Sequence, residues 1–222
     1  MFSFLKKSKY PDFWKKHIET VRNTKKYNSF EDIRFVVLDT ETTGFDYEKD
    51  RILCIGAVAI KNNKIQVADS FEVYIKQDVF NKDTVKIHGI RRDGTEVKVS
   101  EEEALIQFLD YLDDAIIVAH HTKFDITMIN KALRRIGGGT IRSKQLDTNF
   151  IHKKMAPGDN FQKMFSLDEL CEIYNVKKQD RHTALGDALI TAYLFLKLTY
   201  KYKKNNVLDI DGLVKTNYKL YS

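Results

Sequence analysis

The sequence predicts an α/β fold, a mixed sheet of about five strands with helices on its faces, preceded by a helical extension. Three observations carry this. Three strand-like runs come first, and Asn62-Asn63 between the second and third suits a tight hairpin turn with positive φ. Short apolar runs then alternate with helical patterns. Finally, Ser-x-x-Glu boxes at Ser100 and Ser166 mark helix starts within that alternating half.

Taken in order, residues 12–24 form a helix whose apolar members Phe13, Trp14, Ile18 and Val21 share one face, with Asp12 as N-cap after Pro11. Strands follow over 34–41, 51–60 and 64–75. A helix is expected from 101 to 113, behind the box at Ser100 and Glu103. Residues 115–119 are a continuous apolar run, the mark of a strand buried on both faces. The next helix, 124–136, ends at Gly137-Gly138-Gly139. A short strand at 143–146 leads into a helix over 147–154. Residues 155–165, with Pro157-Gly158, are the most loop-like internal stretch. A short helix follows Ser166, and a long one covers 183–204. The division is therefore a basic extension (1–29), a body (30–204) and a tail without clear pattern (205–222).

The chain has 222 residues, 43% hydrophobic and 31% charged, enough for one core with a polar cover. Its longest near-apolar run, 52–60, is far short of the roughly 18–20 residues of a membrane span. Two cysteines, Cys54 and Cys171, exclude a disulfide framework and a four-cysteine zinc site. A reduced, cytoplasmic protein is expected, with no membrane partner. The net charge of +6 resides entirely in residues 1–29, which carry eight bases against two acids. That segment also holds Tyr10, Phe13, Trp14 and Tyr27, a composition that suits both docking on the body and contact with a phosphate backbone.

Candidate chemistry lies in three separated motifs. Asp39 and Glu41 are two apart at the end of the first strand, so both carboxylates face one side. At that separation one is protonated or a cation lies between them. Asp125 falls in the first turn of the helix after the buried 115–119 run, at a carboxyl strand end, where ligand sites of open sheets gather. His182 and Asp187, five apart, do not share a face of one helix. They converge if His182 lies on the loop before the helix and Asp187 in its first turns. Each motif alone also fits a bland role: a solvated strand end, a helix-start acid, a surface histidine. Together, four acids gathered at element ends need counter-charge. Two divalent cations supply it, and Mg²⁺ favours such oxygens while also binding phosphates. Two such ions about 3.5–4 Å apart suit an in-line phosphoryl displacement.

These residues resemble a known set. Asp39-Thr-Glu41-Thr-Thr-Gly44, His120 with Phe124-Asp125, and His182-Thr-Ala-Leu-Gly-Asp187 look like the three exonuclease motifs of the DEDDh family of 3′→5′ exonucleases. That family has the ribonuclease H-like fold and includes polymerase proofreading subunits. The similarity runs over about residues 35–198, and Ile87-His88-Gly89-Ile90 and Leu146-Asp147-Thr148 match as well. The resemblance implies release of nucleoside 5′-monophosphates from a 3′ end, with two Mg²⁺ or Mn²⁺ ions. By carry-over Asp39 bridges both metals, Glu41 and Asp187 complete the water-activating site, and Asp125 serves the second metal. His182 would be the general base, a task suited to histidine chemistry. Thr42, Thr43 and Gly44 would hold the terminal nucleotide, with Phe45 on its base and His120 and His121 in contact. Two departures stand out: His121 where many relatives carry Asn, and Cys54 where a glutamate is common. Nucleic acid is the implied partner, DNA before RNA, with a DNA polymerase as a further one. Exoribonuclease activity and a polymerase-bound accessory role are the competing readings. A non-catalytic binding module fits poorly with a full set of acids.

Overall fold

The structure is a computed structural model and describes residues 10–24, 27, 29–155 and 163–205. Its elements are α1 (Asp12–Arg22), β1 (Phe35–Thr42), β2 (Ile52–Lys61), β3 (Lys64–Ile75), α2 (Lys82–His88), β4 (Lys98–Val99), α3 (Glu101–Leu112), β5 (Ile116–Ala119), α4 (Thr122–Arg135), β6 (Gln145–Asp147), α5 (Thr148–Met155), α6 (Leu167–Ile173) and α7 (Ala184–Asn205). The strands form one mixed sheet in the order β4-β3-β2-β1-β5-β6. β1, β2 and β3 pair antiparallel, whereas β5 and β6 join parallel through helical crossovers. The expected mixed α/β sheet is thus present, with six strands rather than about five. The extra one, β4, has two residues, too few for any alternation to register.

Alternation along β1 sorts the core into two layers. Val36 and Leu38 face α3, α4 and the docked α1. Phe35 and Val37 face α5, α6 and α7. The β2–β3 turn is tight, with Asn62 and Asn63 both in the left-handed region. Ser166 and Glu169 form a full reciprocal capping box on α6. On α3 only half of the expected box exists. Ser100 accepts from the Glu103 amide, while the Glu103 carboxylate accepts instead from Gln107.

Helix α1 is capped by Pro11, without a side-chain cap, so Asp12 is its first residue rather than its N-cap. Trp14 is 2% exposed and lies against Gly138-Gly139, where a Cβ at Gly139 would sit 2.9 Å from the indole. The glycines that end α4 thereby also make the seat for α1. The expected loop core at 156–162 and the tail from 206 lie outside the described residues.

Candidate active site

Asp39 and Glu41 project from the β1 face that α7 covers. What brings α7 there is a glycine. Gly56 is paired with Asp39 across the β1–β2 ladder. A Cβ on Gly56 would lie 2.2 Å from the backbone of Ala184 and Leu185. The first turn of α7 therefore rests directly on β2, and Asp187 points back at β1. Ligand oxygens of Asp39, Glu41 and Asp187 all lie within 4.8 Å of one another. Gly56→Ala is expected to push α7 outward. We expect an activity loss of about 10²-fold, the scale of a 1 Å misplacement, measured on protein shown to be folded by its circular dichroism.

The fourth acid reaches the site from a different element. Asp125 comes from α4, on the opposite layer, and reaches the same strand end from behind. Its Oδ1 accepts from the Thr40 amide at 3.1 Å and the Thr40 hydroxyl at 2.7 Å. It is 3% exposed and raises the pKa of Asp39 by its charge. Asp125 therefore adjoins the group of three, and its charge acts on Asp39 more strongly than those of Asp187 and Glu41.

Asp187 is held at one oxygen only. Its Oδ2 accepts from Arg181 and, at 3.3 Å, from the His182 amide. Its Oδ1 is buried with no protein partner. Arg181 is itself gripped by Asp168 of α6 through two bonds at 3.2 and 3.0 Å. Neither Arg181 nor Asp168 stands out in the sequence, where only adjacency to His182 hints at the arginine. His182 lies, as expected, on the loop before α7, exposed and in the left-handed region (φ 64°).

The electrostatics reflect crowded acids that the charge of Arg181 only partly offsets. Burial, then the charges of Asp125, Asp187 and Glu41, push Asp39 well above the usual carboxylate range. Burial first and the neighbouring acids second raise Glu41 from 4.5 to about 7. Burial raises Asp125 to about 7 against the opposing Thr40 bonds. Three grouped carboxylates, two of them proton-holding and one with an orphaned buried oxygen, are all hard oxygen donors and fit a divalent cation. The folded state binds these protons more tightly than the unfolded chain. Cation-free stability should therefore fall as pH rises from about 4.5 to about 7. The change from Glu41 alone is on the order of 3 kcal/mol, or roughly 6–12 °C in Tm. Thermal melts should also show Mg²⁺ raising Tm more at pH ~7.5 than at pH ~5. Equal shifts at both would contradict the cage.

Around the acids, Thr42 donates its hydroxyl to the Gly44 carbonyl. Thr43 is fully buried and donates to Asp50, so its side chain builds the turn. Phe45 is 80% exposed, with its ring against Phe124. His120 contacts Thr148 at 2.8 Å and is held neutral by burial, with a pKa of about 3. His121 is the N-cap of α4 in the left-handed region and offers no side-chain cap bond. That duty falls to Asp147, which accepts from the Thr122 and Asn149 amides and so ties α4 and α5 to β6. Cys54 lies beside Glu41 on β2, buried, with its thiol pKa pushed up by burial.

A mixed sheet with a carboxylate cage at the carboxyl end of its central strand defines the nucleases that hydrolyse phosphodiesters on the ribonuclease H-like fold. The chain belongs to the RNase T exonuclease family, whose profile, described as Exonuclease, matches residues 36–195. It is 35% identical over 194 residues to the DNA polymerase III PolC-type protein of Thermotoga petrophila, covering 87% of this chain but 14% of that protein. It is 31% identical over 189 residues to the DNA polymerase III subunit epsilon of Aquifex aeolicus, covering 83% of this chain and 91% of that one. Escherichia coli Exonuclease I, solved with a dT13 oligonucleotide, shares the fold at a TM-score of 0.67 and 15% identity, over 78% of this chain and 42% of that chain. Among the described residues no helix is long and apolar enough to cross a membrane.

Proposed function

We propose that this chain is a 3′→5′ exonuclease that releases nucleoside 5′-monophosphates from single-stranded or frayed DNA ends, using two divalent cations, Mg²⁺ or Mn²⁺. One observation carries the reading: carboxylate oxygens of Asp39, Glu41 and Asp187 converge within 4.8 Å, and Oδ1 of Asp187 is buried without a protein partner. Bound there, the cations supply Lewis-acid polarisation of the phosphodiester and balance the acidic charge. Asp39, Glu41 and Asp187 hold them on the α7 side, and Asp125, aligned by Thr40, serves from the α4 side. His182, exposed beside the cage, takes the proton of the attacking water at a ring nitrogen. The 42–44 turn seats the terminal nucleotide, Phe45 meets its base, and His120 and His121 flank the strand.

In this reading residues 30–204 are the exonuclease body, and 1–29 and 205–222 are appendages to it. The protein works in the cytoplasm on nucleic acid. Its similarity to subunit epsilon and PolC-type proteins favours a second role beside a DNA polymerase. End-labelled single-stranded, duplex and mismatched DNA and matching RNA, incubated with Mg²⁺, Mn²⁺ or chelator, test the proposal. A ladder shortening from the 3′ end of DNA, abolished by chelator, is expected. Faster digestion of RNA would make the chain an exoribonuclease, and no digestion under any condition would refute the reading.

A further inference from the structure

Beside the cage the sheet carries a second, oppositely charged feature. Glu41, Cys54, Tyr74 and Lys98 form one rung across β1, β2, β3 and β4. Three strand spacings put Lys98 about 14 Å from Glu41. A cavity of about 150 Å³ opens at that far end, lined by Lys76, Arg91, Arg92 and Lys98, with Phe80 on its wall and Asp78 as the one acid.

The loop bearing the arginines is built to a fixed shape. His88 is buried and its Nδ1 accepts from the Ile90 amide at 3.1 Å. Gly89 turns the chain with φ 71°. Ile90 then packs with Leu53, Cys54 and Ala184, the residue that opens α7. Lys98, its side chain 14% exposed, donates to the carbonyls of both Arg91 and Arg92. Its charge is partly spent on Glu96 at 3.8 Å, so its main part is to staple the loop. Arg91 and Arg92 are exposed, and among the described residues neither guanidinium has a carboxylate partner. Two unpaired guanidiniums on a stapled loop match backbone phosphates, which they bind in a fork.

We infer that Arg91 and Arg92, with Lys76, form a landing site for phosphates of the nucleic-acid strand on the 5′ side of the scissile bond. The inference rests on the exonuclease reading and adds a second point of attachment to it. A strand whose end occupies the Asp39 cage would have to span about 14 Å to reach this loop, so only substrates longer than a dinucleotide use it. The attachment is electrostatic and independent of sequence.

The test uses the full chain and the double variant Arg91→Ala/Arg92→Ala. Binding of a fluorescent thymidine 20-mer is measured by anisotropy across salt concentrations with Ca²⁺ present, and hydrolysis is measured on the 20-mer and on a thymidine dinucleotide with Mg²⁺. The variant should bind the 20-mer roughly ten- to a hundredfold more weakly. Its log K against log [salt] slope should flatten by about 0.7 for each phosphate that the arginines no longer neutralise. Its kcat/KM on the dinucleotide and its Mg²⁺-induced rise in Tm should stay within error of wild type. Unchanged 20-mer affinity and salt slope would overturn the landing site, as would an equal loss on the dinucleotide. Wild-type protein that binds the 20-mer through these arginines yet digests nothing would instead sink the exonuclease reading alone.

Discussion

Asp39→Asn is expected to lose about 10³–10⁴ of the hydrolysis rate and, at the same time, to make the cation-free protein more stable above pH ~7. Both effects have one origin. Asp39 lies among Asp125, Asp187 and Glu41, and its carboxylate is disfavoured by burial and by each of those charges. Replacing it with an amide removes a disfavoured buried negative charge, so the repulsion falls and Tm rises. The same replacement weakens the hold on a cation, and Lewis-acid stabilisation is worth several kcal/mol, with each ~1.36 kcal/mol a factor of ten in rate. Rate assays and thermal melts on one preparation decide it. A variant that keeps its rate would remove the mechanism. A variant that loses rate and stability together would point to a merely structural acid.

His182→Asn should fold, keep its Mg²⁺-induced rise in Tm, and lose roughly 10²–10⁴ in rate, the usual contribution of a positioned base. Asparagine is chosen because His182 sits at φ 64°, a conformation that costs most side chains on the order of 1 kcal/mol and that Asn tolerates. The substitution also keeps the backbone amide that donates to Asp187. The rate loss then reports on the ring and not on a displaced loop. The acid limb of the pH–rate profile should flatten in the variant. A limb of unchanged shape would show that another group accepts the proton.

The site is legible in the sequence where chemistry and periodicity coincide. Asp39 and Glu41 share a face because strands alternate, and His182 has to leave the helix because five residues do not close on one helical face. The position of Asp125 is less legible. Its motif fixes it in the first turn of α4 but does not say that α4 packs on the layer opposite α7. That is why three acids arrive on the α7 side of β1 while Asp125 comes from the other layer, bonded to Thr40. Gly56 gives a faint signal, since an isolated glycine inside a strand suggests a close backbone approach, yet nothing local names α7 as the neighbour. The bridge from Asp168 through Arg181 to Asp187 joins α6 to α7 by side chains alone, and no local pattern encodes it. Helix α2 escapes for a different reason. Its seven residues, capped by Asn81, present no apolar stripe. Strand β4 is held by pairing with β3 instead of by any propensity of its own.

The seating of α7 on Gly56 also bears on when the enzyme becomes active during its synthesis. The cage draws one wall from β1 and the other from a helix that begins at Ala184, far along the chain. No shorter local piece of chain can gather the three oxygens. A nascent polypeptide that has completed β1, β2 and β3 but has not yet docked α7 therefore lacks any hydrolytic centre. Assembly of that centre therefore waits on a long-range closure of the fold, the docking of α7 on β2.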